Sequence, residues 1–550
     1  MRARLSVACA IALVALAAHA QAAADWEISL DPAAPLEALS PALLGHYDLS
    51  GALYDYAGQP GLPARMQAIG FSEWRVSVGR WENSTQLFST LTDGSPCPIP
   101  LPQMAASEPN DLALIASRDW FSDDGQPVTL ADTNDDARYQ LDYLREVIDT
   151  AATFGASSFV SFDAMPRALA VNPTPLRTNC SWSFQNRVSN IRPADAAVFA
   201  AAATGVVERI VEGVGAEPGR PVHYWEVGNE PEFPFFWDPD FEDQSGPLDR
   251  FFEMSIQTLV ALDAYRSGSS HPDAGKLRFG LGSFATEAVT NTVLTGFDSA
   301  GVPGGFVPLD FISFHAYAND PLEVVDVITS VAATAAATTN YASIELALAE
   351  WGPNLATSAG DAAYAASMEP PLHIATVLAL GATAGLDRAH RAIFWDFFPS
   401  SIQLGVVDHA GQPKPGYRAY ELLALLIDPG ARRLAAASQP DGRLDAGLGA
   451  LLASQIGATT RVLVVNRNAT ARSVRISLAG APARPHRIWR FEDPSGGISI
   501  APGMGSQVTI AAESLAVLEF TPAPVPTAGL LAFLVLGVGI VAGVGWARRR

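Results

Sequence analysis

A chain of 550 residues is too long for one small domain and demands a catalytic-size domain plus something smaller. Hydrophobic residues make up 49% and charged residues 17%, which suits a folded protein with a large core and excludes a disordered one. The 35 basic and 57 acidic side chains leave a formal charge of −22, which argues against nucleic acid and other polyanionic partners.

Residues 1–24 open with Arg2 and Arg4 and run uncharged and apolar from Leu5 to Ala18. They offer Ala18-His19-Ala20 and Ala22-Ala23-Ala24 as cleavage sites, the pattern of an export signal peptide. Within the N-terminal segment 25–41, residues 26–30 alternate and could lend a strand to a β domain elsewhere in the chain.

From 42 to 430, short apolar strands alternate with longer helical patterns. The strands are expected at 43–48, 73–78, 157–162, 222–227, 278–282, 310–315, 344–350 and 392–396. Helices are expected at 136–154, 194–212, 248–266, 322–337, 373–385 and 415–427. In the first of these, Leu141, Leu144, Val147 and Ile148 share a face. Eight strands, each followed by a helix or long loop, predict an α/β fold, a (β/α)8 TIM barrel. A doubly wound open sheet is the alternative, but it would want a Gly-rich phosphate loop after the first strand, and none is there.

Long polar loops at 82–132 and 165–192, and an aromatic one at 231–247, fall where a barrel carries its site. Cys97 and Cys180 lie on the first two and either pair as a disulfide or stay free. Beyond 430 the runs 461–466, 473–478, 486–491, 507–510 and 514–520 are short and alternating, which predicts a small antiparallel β domain over 431–521. Residues 522–550 combine a Pro-rich linker, an uncharged apolar run from Ala528 to Ala547 long enough to span a bilayer, and Arg548-Arg549-Arg550. By the positive-inside rule, the body would sit outside the cytoplasm, in the envelope or beyond, with the helix a membrane anchor unless it is processed.

Two strands end in a carboxylate. The run Tyr224-Trp225-Glu226-Val227 breaks at Gly228-Asn229-Glu230-Pro231, and Leu346-Ala347-Leu348-Ala349 leads to Glu350-Trp351-Gly352. Pro231 cannot continue a ladder, so Glu230 is presented just past a strand end. Cleaving a glycosidic bond needs two carboxyls, one to protonate the departing oxygen and one to attack the sugar or activate water. Glu230 has the form of the acid/base and Glu350 that of the nucleophile, kept ionised by donors such as Arg75 on the second strand. No His–Glu–His metal spacing and no Gly-x-Ser-x-Gly elbow appears, and neither metal nor cofactor is expected.

The motif Trp225-Glu226-Val227-Gly228-Asn229-Glu230-Pro231 resembles the acid/base segment of clan A glycoside hydrolases, and specifically of family 39, the β-xylosidase and α-L-iduronidase relatives. Met165-Pro166-Arg167-Ala168-Leu169, Asp310-Phe311-Ile312-Ser313-Phe314-His315-Ala316-Tyr317, Leu348-Ala349-Glu350-Trp351, Phe394-Trp395 and Gly411-Gln412-Pro413-Lys414-Pro415 are similar to further segments of that family, in order. The resemblance spans 42–430. It implies that Asn229 binds the sugar 2-hydroxyl, that His315 and Tyr317 orient the glutamates, and that Trp395 forms an aromatic floor. His315 and Trp395 also admit plain core roles. Ala349-Glu350-Trp351-Gly352-Pro353-Asn354 lacks the acidic pattern of the iduronidase branch, which disfavours a uronide. The tail resembles sorting tails of the PEP-CTERM type. The expected activity is retaining hydrolysis of an O-glycosidic bond; an endo-glycanase of another clan A family and a non-catalytic carbohydrate-binding protein are the alternatives.

Overall fold

The computed structural model describes residues 24–47, 61–78, 120–122, 126–163, 165–171, 192–214, 217–232, 248–299, 305–354, 362–396, 404–408 and 410–521. The signal-like start, Cys97, Cys180, the aromatics at 233–237 and the apolar C-terminal run lie outside these residues. Among the described residues, no helix is long and apolar enough to cross a membrane.

Strand β1 (Trp26–Leu30) leads. It is followed by β2 (Gly45–Tyr47), β3 (Glu73–Ser77), β4 (Ser157–Phe162), β5 (Tyr224–Val227), β6 (Arg278–Phe284), β7 (Phe311–Tyr317), β8 (Glu345–Gly352) and β9 (Arg388–Ala392). Strands β2 to β9 close into a barrel in chain order, each neighbouring pair parallel, with β9 returning to β2. This is the (β/α)8 barrel that the alternation predicts. Helices cover it, and their starts are written in the sequence. Asp195 caps Ala196–Val211 by accepting from the backbone N–H groups of Ala197 and Val198, and Asp320 caps Pro321–Ala337 with a proline at the first turn.

In the barrel region a strand and two helices depart from expectation. The eighth barrel strand is Arg388–Ala392, four residues before the predicted 392–396. Arg-Ala-His-Arg-Ala reads as polar, yet it is buried because the barrel floor holds its partners. Arg388 pairs with Glu73 and Glu345 and lies 3.3 Å from the Tyr224 ring centre, and His390 Nε2 lies 2.9 Å from Glu73. The helices Leu62–Ala68 and Glu287–Asp298 were not anticipated. The second buries Thr290, Val293, Leu294 and Phe297, a helical stripe diluted by threonines that favour strands.

The C-terminal strands are β10 (Arg432–Leu434), β11 (Arg443–Leu444), β12 (Gly449–Ile456), β13 (Thr459–Asn466), β14 (Arg472–Leu478), β15 (Ala481–Pro482), β16 (Arg487–Phe491), β17 (Ser499–Pro502), β18 (Gln507–Ile510) and β19 (Ser514–Phe520). They form two sheets, ordered β10-β12-β13-β19-β16-β17 with β11 beside β12, and β1-β14-β15 with β18 beside β14. As anticipated, β1 joins this domain, but it pairs with β14 in parallel. Trp26, Ile28, Leu30, Val462, Val464, Val474, Ile476 and Leu518 fill the space between the sheets. The larger sheet turns its other face, with Leu452, Leu463, Val465 and Val517, into the core shared with the barrel helices.

Candidate active site

Side chains at alternate positions of a barrel strand face the interior, so Arg75 on β3 and Glu226 on β5 both project inward. Both are fully buried. Arg75 donates from Nε and Nη2 to the one oxygen Glu226 Oε2 at 3.0 and 2.7 Å, two charge-assisted hydrogen bonds. The same Nη2 lies 2.9 Å from Asn229 Oδ1 and 2.7 Å from Ser283 Oγ, and Nη1 reaches Glu350 Oε1 at 3.0 Å. Ser283 and Ser313 donate to Glu226 Oε1, and Tyr47 lies under the guanidinium, its ring centre 4.7 Å away. Burial works to raise Glu226, but Arg75 and the two hydroxyls outweigh it and hold the carboxyl below its ordinary value. Arg75 is held charged in turn.

The chain leaves β5 sharply. Gly228 takes φ +91°, and a Cβ there would lie 2.5 Å from the Phe251 ring, so this turn needs glycine. Glu230 itself has φ +42°, a left-handed conformation uncommon for a side chain of its size, and its backbone N–H donates to Ser283 O at 2.9 Å. The turn swings the Glu230 carboxyl back over the mouth. Asn229 Nδ2 is buried and finds no hydrogen-bond partner among the described residues, which leaves it free to donate.

Irregular pairing places the other groups. The register shifts on β8, where Leu348 and Glu350 face the consecutive Phe314 and His315 of β7, and Leu348 and Trp351 face Ala389 and Arg391 of β9; such a bulge re-aims side chains. His315 and Glu350 come out paired across the ladder. His315 Nδ1 lies 2.7 Å from Glu230 Oε1, its Nε2 lies 3.8 Å from Glu350 Oε1, and Tyr317 donates to Glu350 Oε2 at 2.9 Å. One ligand-type atom from each of Glu230, His315 and Glu350 lies within 4.8 Å of the others.

Burial pushes Glu230 up to about 7, against the pull of Arg75. It pushes His315 down to about 4, so the imidazole is neutral at neutral pH. Burial also raises Glu350, with the Glu230 charge adding to it, while Arg75 and the Tyr317 hydroxyl pull the other way. The donors expected around Glu350 are in place, but desolvation outweighs them. Among the described residues, Glu350 has the cation and the phenol for hydrogen-bond partners, and Glu230 has the imidazole.

The sequence-predicted Arg75, Asn229, Glu230, His315, Tyr317 and Glu350 thus meet in one network. Trp395, predicted as a floor, follows β9, bridges Val407 and is 4% exposed within the main core. Sequence reasoning missed Glu226, Ser283, Ser313 and Asp163. Glu226 stands two positions after the inward-facing Tyr224, a signal that strand alternation carried. Asp163, just past β4, accepts from Ser77 Oγ, and burial pushes it up to about 7. The Glu230, His315 and Glu350 atoms are spaced for a metal ion, but Arg75, 3.0 Å from Glu350, puts a fixed positive charge against any cation there.

No family model and no curated protein matches the chain. Solved structures do. A monomeric β-xylosidase from Caulobacter crescentus is 14% identical with a TM-score of 0.58, over 91% of this chain and 100% of that one. A GH39 enzyme from Xanthomonas axonopodis pv. citri is 16% identical with a TM-score of 0.57, over 92% and 99%. A family 51 α-L-arabinofuranosidase from Bifidobacterium longum is 14% identical with a TM-score of 0.53, over 91% and 100%. The chain shares their fold from end to end of each.

Proposed function

We propose that the protein is an exported retaining glycoside hydrolase, β-xylosidase-like in its site, acting on neutral glycosides. Glu350 attacks the anomeric carbon while Glu230 gives its proton to the departing oxygen, leaving the sugar esterified to Glu350. Glu230, now a base, takes a proton from water, which displaces Glu350 and restores the starting configuration. His315, neutral and 2.7 Å from Glu230, accepts from the protonated carboxyl or donates to the ionised one, according to its tautomer. Asn229 Nδ2 donates to the sugar 2-hydroxyl, and Arg75 with Tyr317 takes up the charge that returns to Glu350 when the ester breaks.

The observation that carries this reading is the separation of the two carboxyls. An oxygen of each lies within 4.8 Å of the other, which suits direct attack, whereas an inverting enzyme keeps its pair about 6.5–9.5 Å apart to seat a water. Likeness to structures named as glycosidases agrees with it.

Assay on a panel of aryl glycosides tests the proposal. Wild type should hydrolyse at least one sugar, and Glu350→Ala should lose on the order of 10³-fold or more in kcat. If wild type and Glu350→Ala are equally inert on every sugar, the non-catalytic binding reading takes its place.

A further inference from the structure

Asp163 is an acidic group at the barrel mouth to which the two-glutamate chemistry gives no task. Phe159 on β4 faces the barrel interior, where it packs with Phe311 and Ala347. Ser161 and Asp163 follow at two-residue steps and share that face. On the neighbouring strand Ser77 stands opposite Ser161, two residues beyond Arg75, and its hydroxyl donates to Asp163 Oδ1. The carboxyl therefore sits one rung above the Arg75–Glu226 pair, within reach of both charges. The residue keeps some exposure, but Oδ2 is shielded from solvent and has no hydrogen-bond partner among the described residues. A buried carboxylate oxygen left unpaired is costly, and its burial is what pushes the group up to about 7. Such an atom at the mouth of a site calls for a donor, and a hydroxyl of the ligand can supply it.

We propose that Asp163 is a specificity-determining residue whose Oδ2 accepts a hydrogen bond from the 3-hydroxyl of the sugar in the reacting subsite. This rests on the glycosidase reading above. The anomeric carbon lies between Glu230 at the end of β5 and Glu350 on β8, and Asn229 takes the 2-hydroxyl. A step from β5 to β4 leads away from β8, hence round the ring from C2 to C3. A carboxylate at that place favours neutral sugars with a free 3-hydroxyl and repels uronides.

The test pairs the best aryl glycoside from the panel with its 3-deoxy analogue, against wild type, Asp163→Ala and Asp163→Asn. Loss of the hydroxyl should cost wild type about 10- to 100-fold in kcat/KM, the range for a hydrogen bond to a charged group. Asp163→Ala should be slow on the parent substrate yet hydrolyse both to within about twofold, an indifference that a merely structural role would not produce. Should Asp163→Ala fail to fold, Asp163→Asn keeps the shape without the charge, and its discrimination should fall severalfold below that of wild type. Equal losses on the 3-deoxy sugar in wild type and both variants would overturn the inference while leaving the hydrolase intact. A wild type inert on every glycoside would overturn both.

Discussion

Arg75 divides its guanidinium among Glu226, Glu350, Asn229 and Ser283, so its removal would strand a fully buried carboxylate. We expect Arg75→Met to lose about 3–5 kcal/mol in denaturant unfolding, with part of the loss recovered by adding Glu226→Gln. An Arg75→Met variant as stable as wild type would show that the network is not what holds Glu226. Glu230 sets the pH behaviour. A general acid must be protonated, so kcat/KM should fall as pH rises through about 7, and Glu230→Gln should lack that limb in a pH–rate profile. The sign for stability follows from the same displacement. Glu230 binds its proton more tightly folded than unfolded, so its contribution is complete below the ordinary carboxylate range and is lost as pH climbs to about 7. Glu230→Gln should therefore gain about 2–3 kcal/mol over wild type at pH 8 and nothing at pH 4. A gain of equal size at both would mean that the charge is not the cause.

At the scale of elements, the site is made by the places where strands stop being regular. Gly228→Ala would force a side chain into φ +91° and against Phe251. We expect a loss of about 1–3 kcal/mol in stability and a fall in kcat greater than the change in KM, because the turn aims Glu230. An unchanged kcat would separate the turn from the chemistry. The same irregularity limited what the sequence could tell. The strand ends at Glu230 and Glu350 were legible, since Gly-Asn-Glu-Pro and Glu-Trp-Gly interrupt apolar runs. The bulge on β8 was not, because a bulge leaves no mark on alternation. Strand β9 lies four residues before the expected place for a different reason: Arg388 and His390 look exposed until Glu73 and Glu345, hundreds and tens of residues earlier, are seen to pair with them. Asp163 stayed hidden because one acidic residue before a loop has no pattern at all.

At the scale of the whole molecule, two cores are joined through one sheet. Strand β12 sends Leu452 toward the barrel helices and Leu451 into the sandwich. With both faces buried it reads as a plain apolar run, which is why it escaped a search for alternation. Strand β1 was legible because only one of its faces is covered, in the pattern buried, exposed, buried. Its Trp26 anchors the chain start to the far domain. Trp26→Ala should lower the unfolding free energy by about 3–5 kcal/mol while kcat at low temperature stays at the wild-type value; a fall in kcat there would tie the sandwich to the site. Export and anchoring are proposed from residues 1–24 and 522–550. Fractionation of cells making the chain with and without 525–550 tests the anchor, and an identical distribution would count against it.

The account turns on Glu350 as the group that bonds to the sugar. Incubation with an activated 2-deoxy-2-fluoro glycoside of the preferred sugar, followed by peptide mapping by mass spectrometry, reads this directly. We predict a single glycosyl adduct on the peptide carrying Glu350, formed as activity is lost and absent from Glu350→Ala. An adduct on any other residue, or turnover of the reagent with none, would contradict it.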